Sequence, residues 1–228
     1  RREGRSYLAA AVDEAAVRKC YGEKIITERL VRWNGAVNDV VARSISRLDA
    51  IVLKDETVPL EDGDPVLERL AEQVGSVGIE QLLDLPEELM ARVELMRRLE
   101  PDRGWPDFGH EGLTCTFTDW LGPWLPPRAG LRQLNRLDLG KVLRQYLGYA
   151  LTQRLEVMLP LWFETAAGTR RRIRYSANAD PVLALPLQEM FGLATGPSLA
   201  NGQVPVVLHL LSPAGRALQI TRDLKAFW

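Results

Sequence analysis

The spacing of apolar positions changes twice along the chain, and each change marks a different kind of structure. Between residues 6 and 58 the pattern is mostly that of strands. Residues 7–12 are a short apolar run, 13–21 a short helix closed by Gly22, and 25–33 a strand ending at the turn pair Asn34-Gly35. Two more strand-like stretches follow at 39–48 and 50–58. A helix set among short, hairpin-linked strands predicts part of a small closed or half-closed barrel, a module that often handles single-stranded nucleic acid.

From residue 59 the period becomes helical. Residues 59–64 read as an acidic linker, and Asp64-Pro65 as a helix start, with a carboxylate cap followed by a proline whose missing N–H costs nothing there. That helix covers 65–74 and is stopped by Gly75. A second, over 86–99, places Leu89, Val93, Met96 and Leu99 on one face and ends before Pro101. Residues 104–127 hold Trp105, Phe108, Phe117, Trp120 and Trp124 in a helix with irregular ends. The longest helix is capped at Asp138, with Leu139, Leu143, Tyr146, Leu147, Ala150, Leu151, Leu155 and Met158 at helical spacing. Together these predict one helical core.

After Pro160 the alternation returns to that of strands, at 161–165, 171–175, 181–185, 204–211 and 218–221, with a turn at Gly168 and a short helix near 187–191. Residues 212–215 join the last two strands as a hairpin. The predicted class is α+β: a partial OB-like β-barrel region over 1–58, a helical region over 59–160, and a C-terminal α/β unit with antiparallel hairpins over 161–228. Residues 59–228 are expected to form one domain.

Composition narrows the function. With 228 residues and 46% hydrophobic content the chain can bury a sizeable core. Its 29 basic and 30 acidic side chains leave a formal charge of −1, so any polyanion site must be local. No apolar run is long enough to span a bilayer, which points to a cytoplasmic protein with no membrane partner. Cys20 and Cys115 are far apart and read as two free thiols. The first residue is Arg1 rather than methionine, and the chain reads as an excerpt from a longer one.

No complete catalytic site is visible. Asp13-Glu14-Ala15-Ala16 follows an apolar run as a helicase acidic box does, but no glycine-rich phosphate loop with Lys and Ser/Thr precedes it, and a helix cap explains it. His110 and His209 share no metal-ligand spacing with the cysteines or with each other. Gly196-Pro197-Ser198 lacks the second glycine of a nucleophile elbow. The carboxylates Glu61, Asp62, Asp64, Glu87 and Glu88 lie in a linker and at a helix start, where solvation and the helix dipole account for them.

The basic constellations are more informative. Arg170, Arg172 and Arg174 alternate along one strand, which puts three guanidinium groups on one face. Arg29, Arg32 and Trp33 lie on one N-terminal strand and Arg43 and Arg47 on the next, a set able to follow a phosphate backbone in one groove, with Trp33 as the stacking candidate. The competing account of each patch is a solvated strand face with local ion pairs.

The last third carries recognisable runs: Leu185-Pro186-Leu187-Gln188-Glu189-Met190-Phe191-Gly192, Val204-Pro205-Val206-Val207-Leu208, Leu210-Leu211-Ser212-Pro213-Ala214-Gly215-Arg216, Gln219-Ile220-Thr221-Arg222-Asp223-Leu224 and Phe227-Trp228. Upstream, Trp105-Pro106, Leu131-Arg132, Leu137-Asp138-Leu139, Leu159-Pro160, Gly168-Thr169-Arg170 and Ile173-Arg174-Tyr175 add to them. The sequence resembles the C-terminal region of the HrpB family of bacterial DEAH-box RNA helicases over nearly its whole length. The resemblance implies a parent with two RecA-like motor domains that bind ATP and Mg²⁺, then small helical domains, an oligonucleotide-binding (OB) barrel and this C-terminal domain. It implies no ATP, Mg²⁺ or other cofactor in this segment, since no catalytic residue of the family falls on it. It also implies a basic, aromatic tail beyond Phe227-Trp228.

Two functional expectations follow. One is an accessory helicase region that contacts single-stranded RNA, or DNA, beside the parent's own motor domains. The other is an interaction or scaffolding module that recruits a protein partner and has no nucleic-acid affinity of its own.

Overall fold

The structure is a computed structural model that describes residues 12–165, 168–191, 196–212, 214–222 and 224. In chain order its elements are α1 (Glu14–Tyr21), β1 (Ile25–Asn34), β2 (Asp39–Leu48), β3 (Ile51–Val58), α2 (Val66–Val77), α3 (Glu87–Leu99), α4 (His110–Cys115) and α5 (Phe117–Leu121). They continue with α6 (Leu131–Leu134), α7 (Leu139–Leu147), α8 (Tyr149–Met158), β4 (Trp162–Glu164), β5 (Arg170–Arg174) and β6 (Val182–Pro186). The last are β7 (Ser198–Leu199), β8 (Val204–Pro205), β9 (Val207–Leu211) and β10 (Ala217–Thr221). The class is α+β, and the chain divides into two compact units. One holds the described residues up to Gln73 together with Leu125–Leu134, and the other holds Val74–Trp124 and the described residues from Asn135 onward.

In the first unit β1, β2 and β3 form an antiparallel meander in that order. Asp13 caps α1, its Oδ1 accepting the Ala15 N–H at 3.2 Å, so the acidic pair there is a helix start. The first hairpin is wider than Asn34-Gly35 suggests. Asn34 pairs with Asp39, the Asn34 side chain accepts the Ala36 N–H, and the left-handed residue is Asn38 at φ 51°. The second hairpin is tight, with Leu48 opposite Ile51 and Asp49 left-handed at φ 50°. The described strands do not close into a barrel. The expected first strand at 7–12 falls, except for Val12, outside the described residues.

Two expectations around α2 are corrected. The Asp64 side chain does not cap it, because that carboxylate is taken by Arg29 and by the Glu61 N–H. The helix also runs through Gly75, which a helix interior tolerates at about 1 kcal/mol, and ends where Gly78 adopts φ 94°. Within the first unit α6 lies against β2, where the Asp39 carboxylate accepts the Leu131 N–H at 2.6 Å and Val40, Ala42, Leu131 and Leu134 are buried.

In the second unit the expected helix over 104–127 is divided into α4, α5 and a 3-10 turn at Gly122–Trp124. Trp105, Phe108, Phe117 and Trp120 are buried as expected of core aromatics, whereas Trp124 is exposed. The Trp120 indole donates to the Leu113 carbonyl at 2.9 Å, which satisfies its one polar group inside the core. Asp138 caps α7 by accepting the Lys141 N–H at 3.0 Å. The single long helix expected beyond it is two: Gly148, at φ 82° and ψ 163°, breaks it into α7 and α8. Leu143, Leu147, Leu155 and Met158 are buried, but Tyr146 and Ala150 are not, since the faces of the two helices are no longer continuous.

Helix α3 buries Leu89, Val93 and Met96, and with them Arg92, which is 1% exposed. Its guanidinium donates to the Leu159 carbonyl at 2.8 Å, pairs with Glu156, and sits 5.6 Å from the Tyr175 ring centre. Tyr175 in turn donates to the Pro160 carbonyl at 2.7 Å. One buried cation thus ties α3 to the carbonyl end of α8, where unpaired carbonyls favour a positive charge.

The larger sheet has the order β10-β9-β6-β5-β4. Its outer pairs are antiparallel hairpins, as expected, but β6 and β9 at its centre run parallel. A parallel pair needs a crossover connection, supplied here by the chain that carries the Leu187–Met190 turn and the β7–β8 pair. One face is closed: Ile173, Leu183, Leu185, Leu208 and Leu210 are fully buried.

Candidate nucleic-acid interface

Strand alternation decides which arginines act together. In the meander, Arg29 pairs with Ser44 and Trp33 with Val40, which puts both on one face. Arg32 pairs with Val41, and Arg43 and Arg47 face Leu30 and Ile26, which puts these three on the other. The five residues therefore do not line one groove. Sequence spacing brought them close, but odd and even positions of a strand point to opposite sides.

Their electrostatics differ as well. Arg29 donates to both Asp64 oxygens, at 2.9 and 2.7 Å, and to the Pro59 carbonyl at 2.6 Å, and lies 3.2 Å from Glu61. The hydrogen bonds from Arg29 hold the Asp64 carboxyl at about 2, while the same bonds raise the Arg29 guanidinium. Arg43 is paired with Asp55 at 2.7 Å. Arg32 and Arg47 are exposed and have no charged partner among the described residues, and Trp33 is half-buried.

The second constellation lies on β5. Arg170, Arg172 and Arg174 all project to the open side of the sheet, while Ile173 faces the core. Arg171, on the core side, pairs with Glu189, and this bond lowers the Glu189 carboxyl and raises the guanidinium. The neighbouring edge strand β4 sets Trp162 opposite Arg172 and Glu164 opposite Arg170. The guanidinium carbons of Arg170 and Arg172 lie 5.7 and 6.0 Å from the Trp162 ring centre, within cation–π range. Arg172 is also bonded to Glu88 on α3, whose other oxygen accepts the Tyr175 N–H at 3.4 Å. Arg174 has no charged partner among the described residues.

Three cations spaced two residues apart repeat at roughly 7 Å along a strand, a geometry open to successive phosphates of an extended chain. Trp162 and Glu88 are not apparent in the sequence pattern. A three-residue strand has no readable period, and Glu88 is distant in the chain from the arginine that it holds. Among the described residues no group of three or more His, Cys, Asp or Glu is placed to hold a metal ion, and no helix is long and apolar enough to cross a membrane.

The family of HrpB C-terminal domains, described as ATP-dependent helicase C-terminal, matches residues 120–228. The ATP-dependent RNA helicase HrpB of Escherichia coli (strain K12) is 33% identical over 229 residues, covering 99% of this chain and 28% of the relative. A crystal structure of the E. coli DExH-box NTPase HrpB superposes with a TM-score of 0.72 at 32% identity, over 96% of this chain and 27% of that one. A second, of the Escherichia coli DEAH/RHA helicase HrpB, gives 0.69 at 32% identity over 90% and 26%. The chain thus spans a little over a quarter of the length of these relatives.

Proposed function

This chain is a C-terminal region of the HrpB family of bacterial DEAH-box helicases, and from that premise we propose that it is an accessory region contributing single-stranded nucleic-acid contacts to an ATP-driven motor. The observation that carries the reading is the arginine ladder on β5: three guanidinium groups on one open face, two of them beside an exposed aromatic ring. In this reading ATP and Mg²⁺ belong to motor domains elsewhere in the parent, and RNA is the strand that is contacted, in the cytoplasm. The meander is read as part of an OB-like barrel, supported by the register shift between Ser46 and Arg47, since such bulges bend strands at barrel corners. Arg32 and Arg47 are its free cations, and Arg29 and Arg43 hold local structure.

A fluorescent single-stranded RNA titrated at low and moderate salt tests this. Binding should weaken with salt, and the triple variant Arg170→Ala, Arg172→Ala, Arg174→Ala should flatten the salt slope by about 0.7 for each phosphate that is no longer neutralised. Absence of wild-type binding at low salt would remove the reading. It would favour the alternative, a protein-interaction module, for which the exposed Ile26, Leu30 and Val52 on the outer side of the meander are the supporting observation.

A further inference from the structure

We infer that Trp162 is a stacking platform for an unpaired base, and that single-stranded nucleic acid crosses the open face of the larger sheet from Trp162 toward His209. The inference rests on the β5 arginines as phosphate contacts, and adds to them where the bases go.

A tryptophan on a three-residue edge strand has few neighbours to bury it, and Trp162 is 47% exposed. The guanidiniums of Arg170 and Arg172 lie over its ring, 5.7 and 6.0 Å from the ring centre, yet almost half of the residue stays in water, so the remaining π surface is presented to solvent next to positive charge. Glu88 is a positioning residue, because its bond to Arg172 holds that guanidinium by the ring.

The same face continues across the sheet. Arg174, which is exposed, pairs with Val182, Val182 with Val207, and Ala184 with His209; these last four are half-exposed while the side chains between them are buried. Small and aliphatic groups leave this surface level, with an imidazole at its far side. Three inter-strand steps of ~4.8 Å separate β4 from β9, roughly 14 Å, which is room for two or three nucleotides. Duplex bases have their π faces covered by one another, so the platform selects an unpaired strand, and it does so without reading base edges. An acidic or neutral peptide would meet the arginines but give the ring no planar partner, so the combination favours nucleic acid.

The experiment compares a labelled oligouridine strand with the same strand made abasic, each titrated with wild type, Trp162→Leu and Trp162→Phe. Leucine keeps apolar bulk but has no π face. The expected result is tighter wild-type binding of the intact strand, about a tenfold loss on Trp162→Leu for that strand alone, and recovery of most of it in Trp162→Phe. Equal wild-type affinity for intact and abasic strands, or parallel weakening of both by Trp162→Leu, would overturn the platform while leaving the arginine contacts standing. Failure of wild type to bind either strand would overturn both.

Discussion

Arg29 and Asp64, thirty-five residues apart, face each other through two parallel N–H···O bonds of 2.9 and 2.7 Å, and the Asp64 side chain is 8% exposed. The pair fastens β1 to the turn before α2, and the same carboxylate closes that turn by accepting the Glu61 N–H at 2.7 Å. Asp64→Ala deprives all of these donors of their acceptor at once and is expected to lower the stability of this unit by about 1–3 kcal/mol. Asp64→Asn, which retains one acceptor, should fall between. Urea denaturation followed by circular dichroism reads the difference, and equal midpoints for wild type and Asp64→Ala would show that the pair contributes nothing.

The same carboxylate sets an acid dependence. Its folded value is depressed from an ordinary 3.8 to about 2, so its contribution is complete above about 4 and is lost as pH falls toward 2. Wild type should therefore lose stability over that interval by more than Asp64→Asn does. Denaturation midpoints at pH 5, 4, 3 and 2.5 check this, and parallel curves for the two proteins would contradict it.

Arg92 is the most consequential polar residue of the second unit. Replacing it with alanine strips the carbonyls at the end of α8 of their donor and leaves a cavity, for an expected loss of about 3–5 kcal/mol. Its partner Glu156 is 43% exposed, and Glu156→Ala leaves the buried guanidinium without a counterion but still bonded to two carbonyls, so it should cost about 1–3 kcal/mol, less than Arg92→Ala. Tyr175→Phe, which frees the Pro160 carbonyl, should cost about 1 kcal/mol. Equilibrium unfolding of the three variants would show this ranking, and a loss for Glu156→Ala equal to that of Arg92→Ala would assign the energy to the ion pair instead.

Gly148 separates α7 from α8 at φ 82° and ψ 163°, a conformation that an L side chain adopts only under strain. Gly148→Ala is expected to destabilise by about 1–3 kcal/mol although open space surrounds the position. If thermal melts of Gly148→Ala match wild type, the chain has rejoined the two helices without penalty.

Sequence alone showed what depends on near neighbours. The alternation that defines β1 to β3, the Asp13 and Asp138 caps and the outward arginines of β5 all follow from residues a few positions apart. The break at Gly148 was hidden because Leu143, Leu147, Leu151 and Leu155 keep helical spacing across it. The parallel pairing of β6 with β9 joins segments more than twenty residues apart, and no local pattern records it. The N-terminal arginines illustrate the same limit: composition groups Arg29 with Arg32, whereas a strand's period of two separates them, and Asp64, which occupies Arg29, arrives from outside the sheet.

The alternation of β5 also fixes how that strand sits in its sheet. A slip by one position would turn Arg170, Arg172 and Arg174 toward Leu183, Leu185 and Leu208, send Ile173 into water and part Arg171 from Glu189. Each misplaced guanidinium would be a buried charge without a counterion, at several kcal/mol apiece. The charges that make this face attractive to a polyanion therefore also act as a registration key, excluding the wrong alignment while the sheet assembles.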